Sequence, residues 1–303
     1  MQEHMPPSEG FLKTDDGARL FFRKTGTGPY VIFPNGLYLF DDFERFADRR
    51  TLIFYDVRNR GRSDLVTDGS KLVGSIPHDV EDLDAVRRHF GIARFDVIAH
   101  SYIGVLATQY AIKYAPHVNR AVLIGPMQPN PATEYPAHLT GADATLSEVF
   151  SKLGQLAQER QSRGLHEITQ QDCEEFWSIL RPIYVVNPAD AGKIAWGRCD
   201  LPNERNFMQY FSENILPSIH RLRFTAETLA PATAPVLIVH GARDRSAPYG
   251  GGRDWALIFP NARLLTVENA AHAPWIEAPE LVLGSIETFL DGEWPSAAQK
   301  LVR

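Results

Sequence analysis

Ser101 sits where two patterns meet. The run Asp96-Val97-Ile98-Ala99-His100 is short, apolar and β-branched, the composition of a buried strand. Directly behind the serine, Tyr102-Ile103-Gly104-Val105-Leu106-Ala107 begins a helical pattern. A chain that turns from strand to helix in so few residues bends sharply, with strained dihedrals and small neighbours. The bend holds a hydroxyl on the rim of a sheet, at a helix N-terminus whose free N–H groups favour negative charge. This is the geometry of a nucleophile elbow. Two further groups follow: Asp244, behind the apolar run 234–241, and His272, behind the run 262–267. Hydroxyl, carboxylate and imidazole are the groups from which nucleophilic catalysis is assembled. Each alone has a bland reading: a serine N-cap, a turn-forming aspartate in a Gly/Pro loop, a solvated loop histidine. All three stand behind predicted strands, which an alternating sheet would bring to one edge.

At these residues the chain resembles the α/β-hydrolase family. The small-x-Ser-x-small pattern appears as Ala99-His100-Ser101-Tyr102-Ile103. The family usually has glycine where Ile103 stands, so the helix is expected either to move away from its neighbouring strand or to face smaller residues, with the elbow preserved. The run Gly241-Ala242-Arg243-Asp244-Arg245-Ser246-Ala247-Pro248 is similar to the family's acid loop, and Ala271-His272-Ala273-Pro274-Trp275 to its final histidine loop. The order Ser, Asp, His is the family's own. The resemblance implies a triad of Ser101, Asp244 and His272. It also implies an oxyanion hole from two backbone N–H groups, those of Tyr102 and of Leu37 in Pro34-Asn35-Gly36-Leu37, where Asn35 replaces the usual histidine and keeps a hydrogen-bonding side chain beneath the loop. The turn Gly125-Pro126-Met127-Gln128-Pro129-Asn130 carries no carboxylate, which removes the other position for the acid. Asp56-Val57-Arg58-Asn59-Arg60-Gly61-Arg62-Ser63 is similar to the turn behind the family's fourth strand. There Asn59 replaces a glycine, a mild change because asparagine tolerates left-handed dihedrals. Asp56 and Arg58 read as a structural pair.

These residues need a scaffold. Segments 11–16 and 19–24 read as a hairpin around Asp15-Asp16-Gly17, with strands following near 30–34 and 51–56. Val80, Leu83, Val86 and Phe90 have helical spacing, and a second helix runs from the elbow to Tyr114-Ala115-Pro116. Strands alternating with helices imply a mostly parallel sheet covered on both faces, with chemistry at the carboxyl ends of its strands. The fold class is therefore α/β, with the α/β-hydrolase fold implied by the resemblance. Alternation stops between about 128 and 230, where stripes such as Leu146, Val149, Phe150, Leu153 and Leu156 indicate helices. That segment reads as a helical cap, 128–230, inserted into a core of 1–127 and 231–303. Most stripe residues read as packing, while Trp177, Tyr184, Trp196, Phe207 and Tyr210 are candidates for a pocket wall. The polar tail after Leu290 is expected to fray.

Of 303 residues, 44% are hydrophobic and 22% charged, with a net charge of −6. These are ordinary values for a globular enzyme. No basic cluster suggests nucleic acid or an anionic membrane surface. No run is long enough to span a bilayer, and the N-terminal segment lacks the pattern of a signal peptide. Cys173 and Cys199 have no metal-binding spacing and read as free thiols, which fits a cytoplasmic setting. Oligomeric state is not legible.

The resemblance implies a serine hydrolase that cleaves a carboxylic ester of a small molecule through an acyl-enzyme, with no metal or organic cofactor. Lactone, amide (aminopeptidase) and carbon–carbon cleavage use the same triad and stay open. So do a hydrolase-fold lyase and, in another class, a non-enzymatic receptor on this fold.

Overall fold

The computed structural model describes residues 7–69, 75–164 and 167–302. Its centre is an eight-stranded sheet in the order β1-β2-β4-β3-β5-β6-β7-β8. The strands are β1 (Ser8–Lys13), β2 (Arg19–Thr25), β3 (Tyr30–Pro34), β4 (Thr51–Tyr55), β5 (Phe95–His100), β6 (Val118–Ile124), β7 (Val236–Gly241) and β8 (Ala262–Val267). β1 and β2 form the expected hairpin, and β2 runs antiparallel to β4. The other neighbouring pairs are parallel. β4, β5 and β7 are buried along their whole length. Their unbroken apolar runs follow from cover on both faces, as parallel sheets require.

The longer helices are α1 (Ser75–His89), α2 (Ile103–Lys113), α3 (Ala144–Ser162), α4 (Gln170–Leu180), α5 (Tyr249–Ile258) and α6 (Pro279–Leu290). α1 and α2 pack on each other beside β5, and α5 packs on β7 and β8. α3 and α4 belong to the long interruption between β6 and β7, where the sequence places the cap. Asp143 caps α3 by accepting from Thr145 N–H, and Thr169 with Asp172 forms a capping box on α4.

Three sequence expectations are corrected here. Cys173 and Cys199 are not free thiols but a disulfide, with Cα atoms 5.8 Å apart. The pair is 26 residues apart in sequence, and only the return of the 196–199 loop onto α4 brings it together. The free-thiol argument for a cytoplasmic setting falls with it. Arg58 does not pair with Asp56. It reaches α1, donating from Nε to Asp82 at 2.7 Å, and reaches Asp16 of the hairpin at 3.0 Å. Asp56 instead accepts from the Arg62 N–H at 3.0 Å. The tail does not fray: Gln299 and Leu264 exchange two backbone hydrogen bonds of 2.8 Å, and Trp294 packs on Phe289. Among the described residues no helix is long and apolar enough to cross a membrane.

Candidate active site

Ser101 has φ 60°, a left-handed value that non-glycine residues adopt at a cost. The neighbouring strand and the following helix hold it there: its N–H donates to Ile124 O of β6 at 2.9 Å, and its carbonyl accepts from the N–H of Gly104 in α2 at 3.0 Å. The expected elbow between β5 and α2 is thus present. The departure at Ile103 is absorbed one position later. Ile103 is fully buried, and the close approach of α2 falls at Gly104, where a Cβ would stand 2.9 Å from Pro126 Cβ.

Asp244 follows β7 and is completely buried. Its Oδ1 accepts from the N–H groups of Ser246 and Ala247, each at 2.8 Å, and its Oδ2 accepts from His272 Nδ1 at 2.7 Å. His240 Nε2 stands 3.3 Å from the same oxygen. Burial alone would raise the Asp244 pKa, but the two imidazoles and the hydrogen bonds outweigh it and hold the carboxyl well below its ordinary value. Asp244 is therefore an anion with its acceptor sites filled. Gly125, at the end of β6, makes room for this pair: a Cβ there would lie 3.0 Å from His272 Nδ1 and 3.2 Å from Asp244 Oδ2. A side chain at Gly125 would crowd the Asp244–His272 pair directly.

With Nδ1 engaged, His272 has Nε2 left for chemistry. The loop around it is held from several directions. Glu277 accepts from the N–H of Ala271 at 2.6 Å and from that of Val186 at 2.6 Å. Ala273 N–H donates to Tyr184 O at 3.0 Å. His100 donates from Nε2 to His272 O at 2.9 Å and accepts from the Tyr38 hydroxyl at Nδ1, 3.0 Å away. Burial and the neighbouring His272 push its pKa well below the ordinary value, so the ring is neutral; the carbonyl of His272 fixes the proton on Nε2 and leaves Nδ1 as the acceptor.

Ser101 and His272 open onto one cavity of about 300 Å³. Trp177, Tyr184, Trp196 and Phe207 line it as anticipated, while Tyr210 is not among its lining residues. Arg60 lines it too, and was overlooked in the turn behind β4. Its guanidinium donates from Nε and Nη2 to Glu204 at 3.0 and 2.9 Å and lies over the Phe207 ring, 3.6 Å from its centroid. Asn59 has the left-handed φ of 62° foreseen for it. Asn35 also does, at 57°, and its buried amide interacts with the Tyr38 hydroxyl, which also ties this loop down through His100. Leu37 lies in the single helical turn Gly36–Tyr38. This loop and the elbow leave the paired strands β3 and β5, which brings the backbones of Leu37 and Tyr102 to the same end of the sheet.

The model of the α/β-hydrolase fold family matches residues 29–279. The chain belongs to the α/β-hydrolase fold family. This hydrolase is 26% identical over 296 residues to a proline iminopeptidase of Pestalotiopsis fici, covering 91% of this chain and 97% of that relative. It is 26% identical over 281 residues to a bifunctional esterase/perhydrolase of Acinetobacter calcoaceticus, covering 89% and 95%. Among solved structures, an esterase from Exiguobacterium antarcticum superposes with a TM-score of 0.70 at 16% identity, over 94% of this chain and 100% of that one. At that identity the last likeness speaks for the fold.

Proposed function

We propose that this hydrolase cleaves carboxylic esters of partly apolar small molecules, with Ser101 as nucleophile, His272 as general base and acid, and Asp244 as its orienting anion. The observation that carries the reading is the 2.7 Å contact between His272 Nδ1 and a fully buried Asp244, facing the same cavity as a serine in a left-handed bend.

In this reading His272 Nε2 takes the Ser101 hydroxyl proton as Oγ attacks the ester carbonyl. The N–H groups of Leu37 and Tyr102 receive the oxyanion, each contributing about 3–4 kcal/mol to the transition state. His272 then hands its proton to the leaving alcohol. Water, deprotonated by the same nitrogen, releases the acid from the acyl-serine.

The cavity favours an ester over the substrate of an iminopeptidase. Such a substrate brings a cationic amine, which calls for a carboxylate in the wall. Among the described lining residues there is none, and the charged side chain present is Arg60. The nearby carboxylate of Glu204 is already taken by that arginine. The aromatic and aliphatic remainder of the wall suits an uncharged, apolar acyl or alcohol group.

The test is labelling by a fluorophosphonate together with turnover of an ester panel. Ser101 should be the modified residue, and Ser101→Ala should lose activity by several orders of magnitude while remaining folded. Retention of more than a few per cent of wild-type turnover by that variant sinks the reading. Faster cleavage of proline arylamides than of esters would replace it with the peptidase one.

A further inference from the structure

A second cavity, of about 180 Å³, lies in the region between α3 and α4. It is not isolated. Trp177 and Met208 line both it and the cavity of Ser101. Arg60 lines the first and Glu204 the second, so their ion pair also stands in the partition.

The parts of this partition differ in rigidity. Trp177 is buried on α4, one turn from Cys173, whose disulfide to Cys199 fastens the helix to the 196–199 loop. Gly197 of that loop lies flat against the indole: a Cβ there would be 2.3 Å from Trp177 Cγ. Arg60 and Glu204 are locked in two parallel hydrogen bonds. Met208 is half-buried and unbranched, a side chain that changes shape at low cost.

α3 runs past both spaces. Phe150 lines the first cavity, while Leu153, Leu156 and Ala157 line the second. Positions 150, 153 and 157 share one helix face, and seven residues of rise span about 10 Å. Phe150 is 57% exposed, and Leu153 and Leu156 are only half-buried. The helix thus presents a continuous apolar strip, incompletely covered by the protein, leading away from the serine.

We propose that the second cavity is a tail subsite: the aliphatic chain of the ester substrate passes Met208 and lies along Leu153, Leu156 and Ala157. The hydrolase would then prefer esters carrying a linear chain of medium to long length. This rests on the esterase reading, but the site makes a claim of its own about apolar chains. A thin alkyl chain fits a passage whose flexible element is one methionine between fixed walls. Burying successive methylenes along the strip supplies selectivity, each one worth up to about fourfold in affinity or kcat/KM.

The experiment measures kcat/KM for p-nitrophenyl esters from acetate to dodecanoate, in wild type and in Ala157→Trp, whose bulk fills the second cavity from an exposed position. The decanoate-to-acetate ratio should exceed about tenfold in wild type and fall by about tenfold or more in the variant. Leu156→Trp serves in the same way if the first variant misfolds. A wild type that is indifferent to chain length, or a ratio unchanged by a folded variant, overturns the subsite. Binding of decanoate, followed by isothermal titration calorimetry, separates the two claims. Should no ester be cleaved, decanoate that binds wild type and not Ala157→Trp upholds the tail site while the esterase reading falls. No binding in that case removes both.

Discussion

Arg60 and Glu204 meet in two parallel hydrogen bonds, at 3.0 and 2.9 Å, across 144 residues of sequence. Both side chains are almost fully buried, at 5% and 1% exposure. Glu204 also accepts from the Gly61 N–H at 3.1 Å, and Asn203 donates to Ser63 O from the same turn. The turn behind β4 is thereby fastened to the segment that closes the cavity. Removing one partner of such a pair leaves an uncompensated buried charge. Glu204→Gln is expected to cost about 3–5 kcal/mol in urea unfolding, and the double variant Arg60→Met/Glu204→Gln to regain most of it. A single variant as stable as wild type would show that the pair does not hold these segments together.

Asp244→Asn keeps an oxygen for the N–H groups of Ser246 and Ala247 but presents the wrong partner to His272. Turnover is expected to fall about 10⁴-fold with little loss of stability. The pKa of Asp244 is depressed, so its contribution to stability is present above the unfolded carboxyl value, about 3.9, and disappears as pH falls through the lower folded value. Its titration should therefore leave no mark on the rate profile above about pH 4. A loss of folding stability on lowering the pH from 7 to 5 that wild type shows and Asp244→Asn lacks would contradict this.

Glu277 is not among the residues that line the cavity. It holds the His272 loop through Ala271 and joins it to Val186. Glu277→Gln keeps one acceptor oxygen of the two. We expect kcat to fall about tenfold with KM within about twofold, and Glu277→Ala to lose more, because a shift of the imidazole by a fraction of an ångström is enough. Equal kcat in all three proteins would make Glu277 a matter of stability alone, measurable by unfolding.

Asp56 is buried, and burial raises its pKa to about 6 despite the Arg62 N–H. A carboxyl whose folded pKa lies above its unfolded value stabilises most below the unfolded value and loses that contribution as pH climbs through about 6. Asp56→Asn should therefore gain on wild type between pH 4 and 7, by about 2–3 kcal/mol at most. Asp96, also raised to about 6 by burial, keeps some slope in both proteins. A constant difference in melting temperature across that range would refute the assignment.

Legibility in the sequence followed sequence distance and periodicity. Ser101, Asp244 and His272 sit in the turns and loops that leave three apolar runs, and a parallel sheet sends such positions to one end. The elbow and the loops were therefore readable from local pattern plus topology. Asn59 was readable because a left-handed residue leaves a trace in residue type. Partnerships across long loops leave no such trace. Glu204 finds Arg60, Cys173 finds Cys199 and Glu277 finds Val186 only once the interrupting helices have folded back over the sheet. Arg58 illustrates the converse: a carboxylate two positions away looked like its partner, but Asp82 on α1 offered a buried, charge-assisted bond. The tail looked mobile from its polarity, yet backbone pairing needs no apolar side chains.

That tail has a consequence for handling the protein. β8 is the last strand of the sheet, and a terminal strand exposes a row of unsatisfied N–H and C=O groups on which another chain can add itself. The reciprocal bonds of Gln299 with Leu264 occupy part of that row, and Arg263 stacks on the Trp294 ring beside it. The last stretch of sequence thus acts as a guard against edge-to-edge polymerisation. A chain cut at Glu293 should keep the Asp244 and His272 loops and still lose colloidal stability, because the cut uncovers sticky backbone along with the packing of Trp294 and Ala298.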